Sequence, residues 1–304
     1  NFYFSLPYSP RYAVLIDGPW GIGKTHLVSG ILAARFPEEI ENSKYLYISL
    51  YGVAHVKDID AAVFQAMYPL LTNKSVKLFG KAAKAAMNFF GADPEINVGD
   101  VMNKFTASIY VFDDLERCDM PINQVLGYIN EFVEQDGCKV VLIANQAEIE
   151  RGKSYRKKRE KVVGKILQVQ SPLKEALSVF IAKIEDEETR EALNARVAEI
   201  SDLFNQSELD NLRILQQALW DFERVYKCLK RKHKKNAQAV TSLLLLFLAL
   251  SFEVKAGRIG LSDLRNRRDS IVAGMLARNK KDGKVIPLVD ANARYPQARL
   301  DDSL

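Results

Sequence analysis

Eight residues near the amino end, Gly18-Pro19-Trp20-Gly21-Ile22-Gly23-Lys24-Thr25, have the types and spacing to wrap a polyphosphate. Such a loop turns its backbone N–H groups inward, and glycines allow the close approach and the unusual dihedrals this needs. A helix that follows directs its positive end at the phosphates. Lys24 can reach the β- and γ-phosphates, and the Thr25 hydroxyl can ligate Mg²⁺. The candidate nucleotide-binding residues are therefore Gly18, Trp20, Gly21, Ile22, Gly23, Lys24, Thr25 and His26. Trp20 could stack on a ligand, but packing within the loop is the plainer role. The turn reads G-x-x-x-x-G-K-T and not G-x-G-x-x-G, which sets dinucleotide binding aside.

A second constellation is Ile109-Tyr110-Val111-Phe112-Asp113-Asp114. Four apolar residues bury a strand, and carboxylates emerge at its carboxyl end, where open α/β sheets bind ligands. Asp113 is placed for Mg²⁺, directly or through water. Asp114 is the candidate to polarise an attacking water. Glu116 is its rival, although Glu116 with Arg117 also reads as a surface ion pair. A third feature is the apolar run 140–144, which ends at Asn145. A polar side chain there can hold the water or the γ-phosphate. In P-loop proteins with an extra strand between the phosphate loop and the acid, this is the sensor position.

These residues need a sheet to position them. Short apolar runs at 12–16, 45–50, 109–112 and 140–144 read as strands, with 166–169 as a fifth before Pro172. Between them, 25–36, 58–71 and 122–133 carry apolar residues at helical spacing. Residues 81–90 are Ala-rich and read as helix, and 91–99 as a loop. Continuous apolar strands alternating with helices argue for a parallel sheet covered on both faces. From 173 to about 276 the chain is proline-free with mostly helical patterning. A boundary is placed at 172, with a core over 1–172 and an all-helical lid over 173–304. No internal repeat is visible.

The loop, the acid motif Asp113-Asp114-Leu115-Glu116-Arg117-Cys118 and the later strand ending in Asn145 together resemble the KAP family of P-loop NTPases, near the AAA+ and STAND ATPases. The resemblance covers roughly 10–172 and includes the Trp of the loop and a segment, 161–169, leading into the last core strand. Glu116 stands where Asp is more usual. Many KAP proteins carry transmembrane helices between loop and acid; here 52–107 contains Lys74, Lys77, Lys81 and Lys84 and no long apolar run.

The resemblance implies a P-loop NTPase parallel sheet of order 5-1-4-3-2 flanked by helices, an all-helical lid, and ATP with Mg²⁺ as cofactors. It implies ATP hydrolysis coupled to oligomer assembly or conformational switching, with bacterial antiphage defence as the setting. A slow nucleotide-dependent switch or scaffold, and an ATPase acting on DNA or RNA, are the alternatives. Arg213, at the start of a helical pattern after Asn211-Leu212, is similar to the lid arginine that touches the γ-phosphate. It reads equally as an exposed helix arginine. In ring-forming relatives a neighbour's arginine lies between the sensor strand and the last core strand, which here points to Arg151, Arg156 and Arg159. A solvated or partner-binding basic loop is the competing reading of that window.

The chain has 304 residues, 48% hydrophobic and 27% charged, the make-up of a globular protein of about two domains. Residues 1–150 hold 12 Lys and Arg against 18 Asp and Glu, a net −6; residues 151–304 hold 31 against 20, a net +11. The basic excess concentrates at 151–165, with eight Lys or Arg and one acid, and at 227–235. A looser group is Arg265, Arg267 and Arg268. Such clusters fit a protein effector, a homo-oligomer contact or the phosphates of nucleic acid. Little aromatic interleaving supports single-strand stacking. His26, His55 and His233 form no metal pattern. Cys118, Cys138 and Cys228 form no close pair, so a reducing, cytoplasmic setting is expected. The 17 uncharged residues 236–252 read as a buried core helix and fall short of the ~20 of a membrane span. No membrane is expected. A start at Asn1 and a polar end fit a piece of a longer protein.

Overall fold

Five runs of residues that bury both faces, or one face at an edge, form one parallel sheet. The computed structural model describes residues 2–36, 45–67, 109–134, 138–149, 153–170, 172–265, 267, 271 and 287–300. The helix and loop read over 81–99, Lys74, Lys77, Lys81 and Lys84, Arg151 and Arg268 lie outside the described residues. The described chain falls into two compact units. The first holds Asn1–Pro19 and Gly23–Val169, and the second holds Trp20–Ile22 and Gln170–Leu304.

In the first unit a single helical turn, α1 (Phe2–Ser5), leads to β1 (Ala13–Asp17), α2 (Lys24–Arg35), β2 (Tyr45–Ser49), α3 (Val56–Met67) and β3 (Ile109–Asp113). Next come α4 (Ile122–Glu134), β4 (Lys139–Ala144), α5 (Lys153–Val162) and β5 (Val163–Gln168). The strand order is β2-β3-β4-β1-β5 and every pairing is parallel. Read from the other edge, this is the 5-1-4-3-2 order that the resemblance implies.

The period of two in a strand divides each strand between two faces. Leu15, Ile48, Phe112 and Leu142 enter one apolar cluster with Ile59 and Val63 of α3 and Val125, Ile129 and Val133 of α4. Val14, Ile16, Val111, Val141 and Ile143 enter another with Val28 and Leu32 of α2. Helices thus cover both faces, as central parallel strands require. β1 and β3 are buried at all five positions. β5 is an edge strand and is largely exposed, so it begins at Val163, three residues before its apolar signature. The carboxyl ends of β1, β3 and β4 place Asp17, Asp113 and Asn145 at one rim of the sheet.

The described residues of the second unit are helical: α6 (Leu173–Ala182), α7 (Glu187–Asn194), α8 (Val197–Gln206), α9 (Leu212–Lys227), α10 (Arg231–Lys234), α11 (Ala237–Lys255), α12 (Leu261–Arg265) and α13 (Pro287–Arg294). Their shared core takes Leu177, Leu203, Leu215, Phe222, Leu244 and Phe252 among others. α11 is the one described helix long and apolar enough to cross a membrane by length and composition. It is also a core element here, with Leu244, Leu248, Ala249 and Phe252 fully buried. Trp20–Ile22 packs with this unit. The Gly21 carbonyl accepts from the Leu212 N–H at 3.1 Å. Gly21 has φ +76°, and a Cβ there would fall 1.9 Å from Asn211 Oδ1, so only glycine fits.

Candidate nucleotide site

A strand that stops and a helix that starts seven residues later leave a loop with no ladder to satisfy its N–H groups. Gly23 lies at the amino end of α2 with φ +98°, in the left-handed region, which turns the chain into the helix. Lys24 opens α2 and is buried at 8% exposure. Its ammonium donates to the Gly18 carbonyl at 2.6 Å and the Pro19 carbonyl at 3.0 Å. Burial holds its pKa below the ordinary lysine range, and the carboxylates of Glu116, Asp113, Asp17 and Asp114 oppose that shift.

Asp113 ends β3. Its Oδ2 accepts from the Thr25 hydroxyl at 2.6 Å, and its Oδ1 from the Asp114 N–H at 2.7 Å. Burial pushes its pKa up, with the Asp114 and Glu116 charges adding to that and the Thr25 and Asp114 hydrogen bonds opposing it. A hydroxyl beside a carboxylate is a hard oxygen donor pair. It fits Mg²⁺, which takes one or two protein oxygens, keeps several waters and binds substrate phosphates. Among the described residues no group of three His, Cys, Asp or Glu is placed to enclose a metal.

Asp114 adopts φ 58°, ψ 38°, a left-handed backbone that is uncommon outside glycine. This turn sends its carboxylate to the Ser49 hydroxyl at 3.2 Å and to the Arg117 Nε at 3.8 Å. Glu116, in the following 3-10 turn, acts on Lys24 through its charge. Asn145 is buried at the tip of β4, and its side-chain oxygen accepts from the Ala147 N–H at 3.2 Å, leaving its amino group as a donor.

The other candidates lie as follows. Ile22 is buried, while Thr25 and His26 are exposed on the first turn of α2. Trp20 is not packed away inside the loop: it is 39% exposed, and Ile22 supplies the buried apolar contact of that segment. Arg156 is exposed on α5. Arg159 is engaged within its own chain, donating to Gln146 Oε1 at 3.1 Å with its guanidinium 5.8 Å from the Tyr155 ring centroid. Arg213 is exposed in the first turn of α9, where the Asn211 side chain caps the helix by accepting from the Arg213 N–H at 3.1 Å.

Three further polar residues shape the site. Asp17 is buried before the loop and accepts from the Gln146 N–H and side-chain amide, both at 2.8 Å, and from the Gln168 amide at 2.7 Å. Tyr47 of β2 donates to Asp113 Oδ2. Ser49 reaches Asp114 as described. The signal for Asp17 is a carboxylate closing the apolar run 12–16; for Tyr47 and Ser49 it is hydroxyls two apart on one strand face.

A parallel five-stranded sheet with a phosphate loop after its first strand and a Thr–Asp oxygen pair beside the loop lysine defines a P-loop NTPase fold. Residues 4–107 match the model of the KAP family P-loop domain, which bears out the resemblance to that family over the phosphate loop; the acid motif and Asn145 lie beyond the matched residues. No curated protein matches the chain. A crystal structure of a DNA polymerase III gamma subunit-related protein from Thermotoga maritima is similar over 97% of this chain and 96% of that chain, at 13% identity. Its TM-score of 0.35 is too low to define a shared fold.

Proposed function

We propose that this chain binds ATP with Mg²⁺ and hydrolyses it, and that the nucleotide state drives a conformational switch or the assembly of copies of the chain. The observation that carries this is the trio Lys24, Thr25 and Asp113, with the Thr25 hydroxyl 2.6 Å from the Asp113 carboxylate and the Lys24 ammonium beside the loop carbonyls. Lys24 would exchange those carbonyls for β- and γ-phosphate oxygens, and loop N–H groups would hold the remaining phosphate charge. Thr25 and Asp113 would hold the Mg²⁺, which neutralises charge that builds on the phosphates. Asp114 would orient the attacking water and Asn145 would donate to it or to the γ-phosphate. The test is titration of a fluorescent ATP analogue into wild type and Lys24→Ala, with turnover measured in parallel. We expect nucleotide affinity to fall at least tenfold and turnover to reach background. Unchanged binding by Lys24→Ala would falsify the site.

A second reading, slow basal turnover, has its own support. The Asp114 carboxylate is occupied by Ser49 and Arg117, so the water-orienting group has to be released before it acts. The cellular role we assign, by resemblance to the KAP family alone, is the ATPase of an antiphage defence system. Equal phage plating on cells expressing wild type and Lys24→Ala would count against that assignment.

A further inference from the structure

β2 holds an aromatic hydroxyl against the acid that the metal would use. Asp113 presents two carboxylate oxygens. Oδ1 is occupied by the N–H of its own neighbour, Asp114. Oδ2 accepts from two side chains, the Thr25 hydroxyl at 2.6 Å and the Tyr47 phenol. A hydroxyl can ligate a metal through a lone pair while its hydrogen stays on a carboxylate, so Thr25 and Tyr47 can both hold Oδ2. Of these two donors, Tyr47 is the one with no ligand role of its own.

The sheet explains why this residue is a tyrosine. Tyr47 pairs with Val111, so Asp113 is its diagonal neighbour two residues on, on the same face. Diagonal neighbours are about 7–8 Å apart, a gap that aromatic and long side chains span. Ser49, directly opposite Asp113, reaches Asp114 instead. The Tyr47 ring is itself held, packing against the apolar cluster of Val14, Ile109 and Val111. The phenol therefore offers a fixed hydrogen bond, and its ring packing would survive loss of the hydroxyl.

We propose that Tyr47 is a positioning residue for Mg²⁺: from β2 it orients the Asp113 carboxylate toward the metal that Thr25 shares. This rests on the assignment of Thr25 and Asp113 to the metal. A partner that orients a ligating carboxylate typically contributes 10–100-fold in metal affinity. The variant is Tyr47→Phe, which keeps the ring. The probes are Mn²⁺, followed by electron paramagnetic resonance with ATP present, and the affinity for a fluorescent ATP analogue in EDTA and in Mg²⁺.

The expected result is a rise of about tenfold in the Mn²⁺ concentration needed for half-saturation. Affinity in EDTA and the melting temperature stay at wild-type values. In an Asp113→Asn background the same change has no further effect on Mn²⁺. A metal requirement equal to wild type overturns the proposal, as does an additive effect in the Asp113→Asn background. A wild-type chain that binds nucleotide equally in EDTA and Mg²⁺ overturns the metal assignment itself, and that outcome is read before any variant is made.

Discussion

Asp113 sits where its own charge is disfavoured, and the metal-holding role proposed for it needs that charge. Burial raises its pKa above the ordinary carboxylate range, so ionising it at neutral pH costs folding free energy. The sign follows from linkage: a raised group stabilises the fold below its unfolded pKa, and that contribution is lost as pH rises through the folded value. Asparagine keeps the shape and never ionises. Asp113→Asn is therefore expected to melt higher than wild type at pH 7, by about 2 °C or more, while metal-dependent nucleotide binding disappears. The gap in melting temperature narrows as pH falls toward the carboxylate range. Thermal melts from pH 7 to pH 5 check this, and a variant less stable than wild type at pH 7 contradicts it. This is the usual conflict between a stable fold and a charged working site.

Between elements, one carboxylate ties three strands together at the base of the phosphate loop. Asp17 of β1 accepts from the turn after β4 through Gln146 and from β5 through Gln168, and Arg159 of α5 braces Gln146 from behind. These donors hold its pKa below the ordinary range although burial pushes the other way. Asp17→Asn would set its amino group against amide donors that have no second acceptor on that side chain. We expect a loss of about 1–3 kcal/mol in urea unfolding, with weaker nucleotide binding because Gly18 follows directly. Its pH signature is opposite to that of Asp113: the stabilisation by Asp17 is present above the unfolded carboxylate pKa and fades as pH falls through the lower folded value. An Asp17→Asn chain as stable as wild type at pH 7 would remove Asp17 from this role. The same elements explain what could be read beforehand. β1, β3 and β4 announced themselves because strands covered on both faces are apolar throughout. Lys24, Thr25 and Asp113 were legible because each follows or ends such a run. Tyr47, Ser49 and Gln146 were not, since their partners come from other strands and depend on register. β5 was legible only in its second half, because an exposed edge strand has little apolar pattern.

At the scale of the whole chain, the net charge of +5 averages an acidic first half and a basic second half. The acidic half carries the phosphate loop, so the polyphosphate recognition proposed for it would be local, through backbone N–H groups, the buried Lys24 and the oxygens of Thr25 and Asp113. Part of the basic half is already neutralised in place. Lys227 pairs with Glu223 at 2.8 Å and Lys234 with Glu188 at 2.7 Å, with the Lys234 ammonium also 4.7 Å from the Tyr226 ring centroid. The most deeply buried charged residue among the described ones is an acid, Glu253, in α11. It is 1% exposed, and its Oε1 accepts from Arg258 at 3.0 Å and from Arg294 and the Tyr295 hydroxyl, both at 2.8 Å. Arg258 also donates to the Ser207 carbonyl at 2.9 Å, so the hub joins the central helix to the turn after α8 and to α13. Removing the acid leaves cations without their counter-charge, and breaking a buried pair from one side costs about 3–5 kcal/mol. Glu253→Ala is expected to lose that much in urea unfolding. Glu253→Gln should lose less, because its carbonyl still accepts from Tyr295. Pairing Glu253→Met with Arg294→Met should recover only part of the loss, since Arg258 still lacks its counter-charge. A single alanine variant within about 0.5 kcal/mol of wild type would show that the hub does not hold the helical unit together.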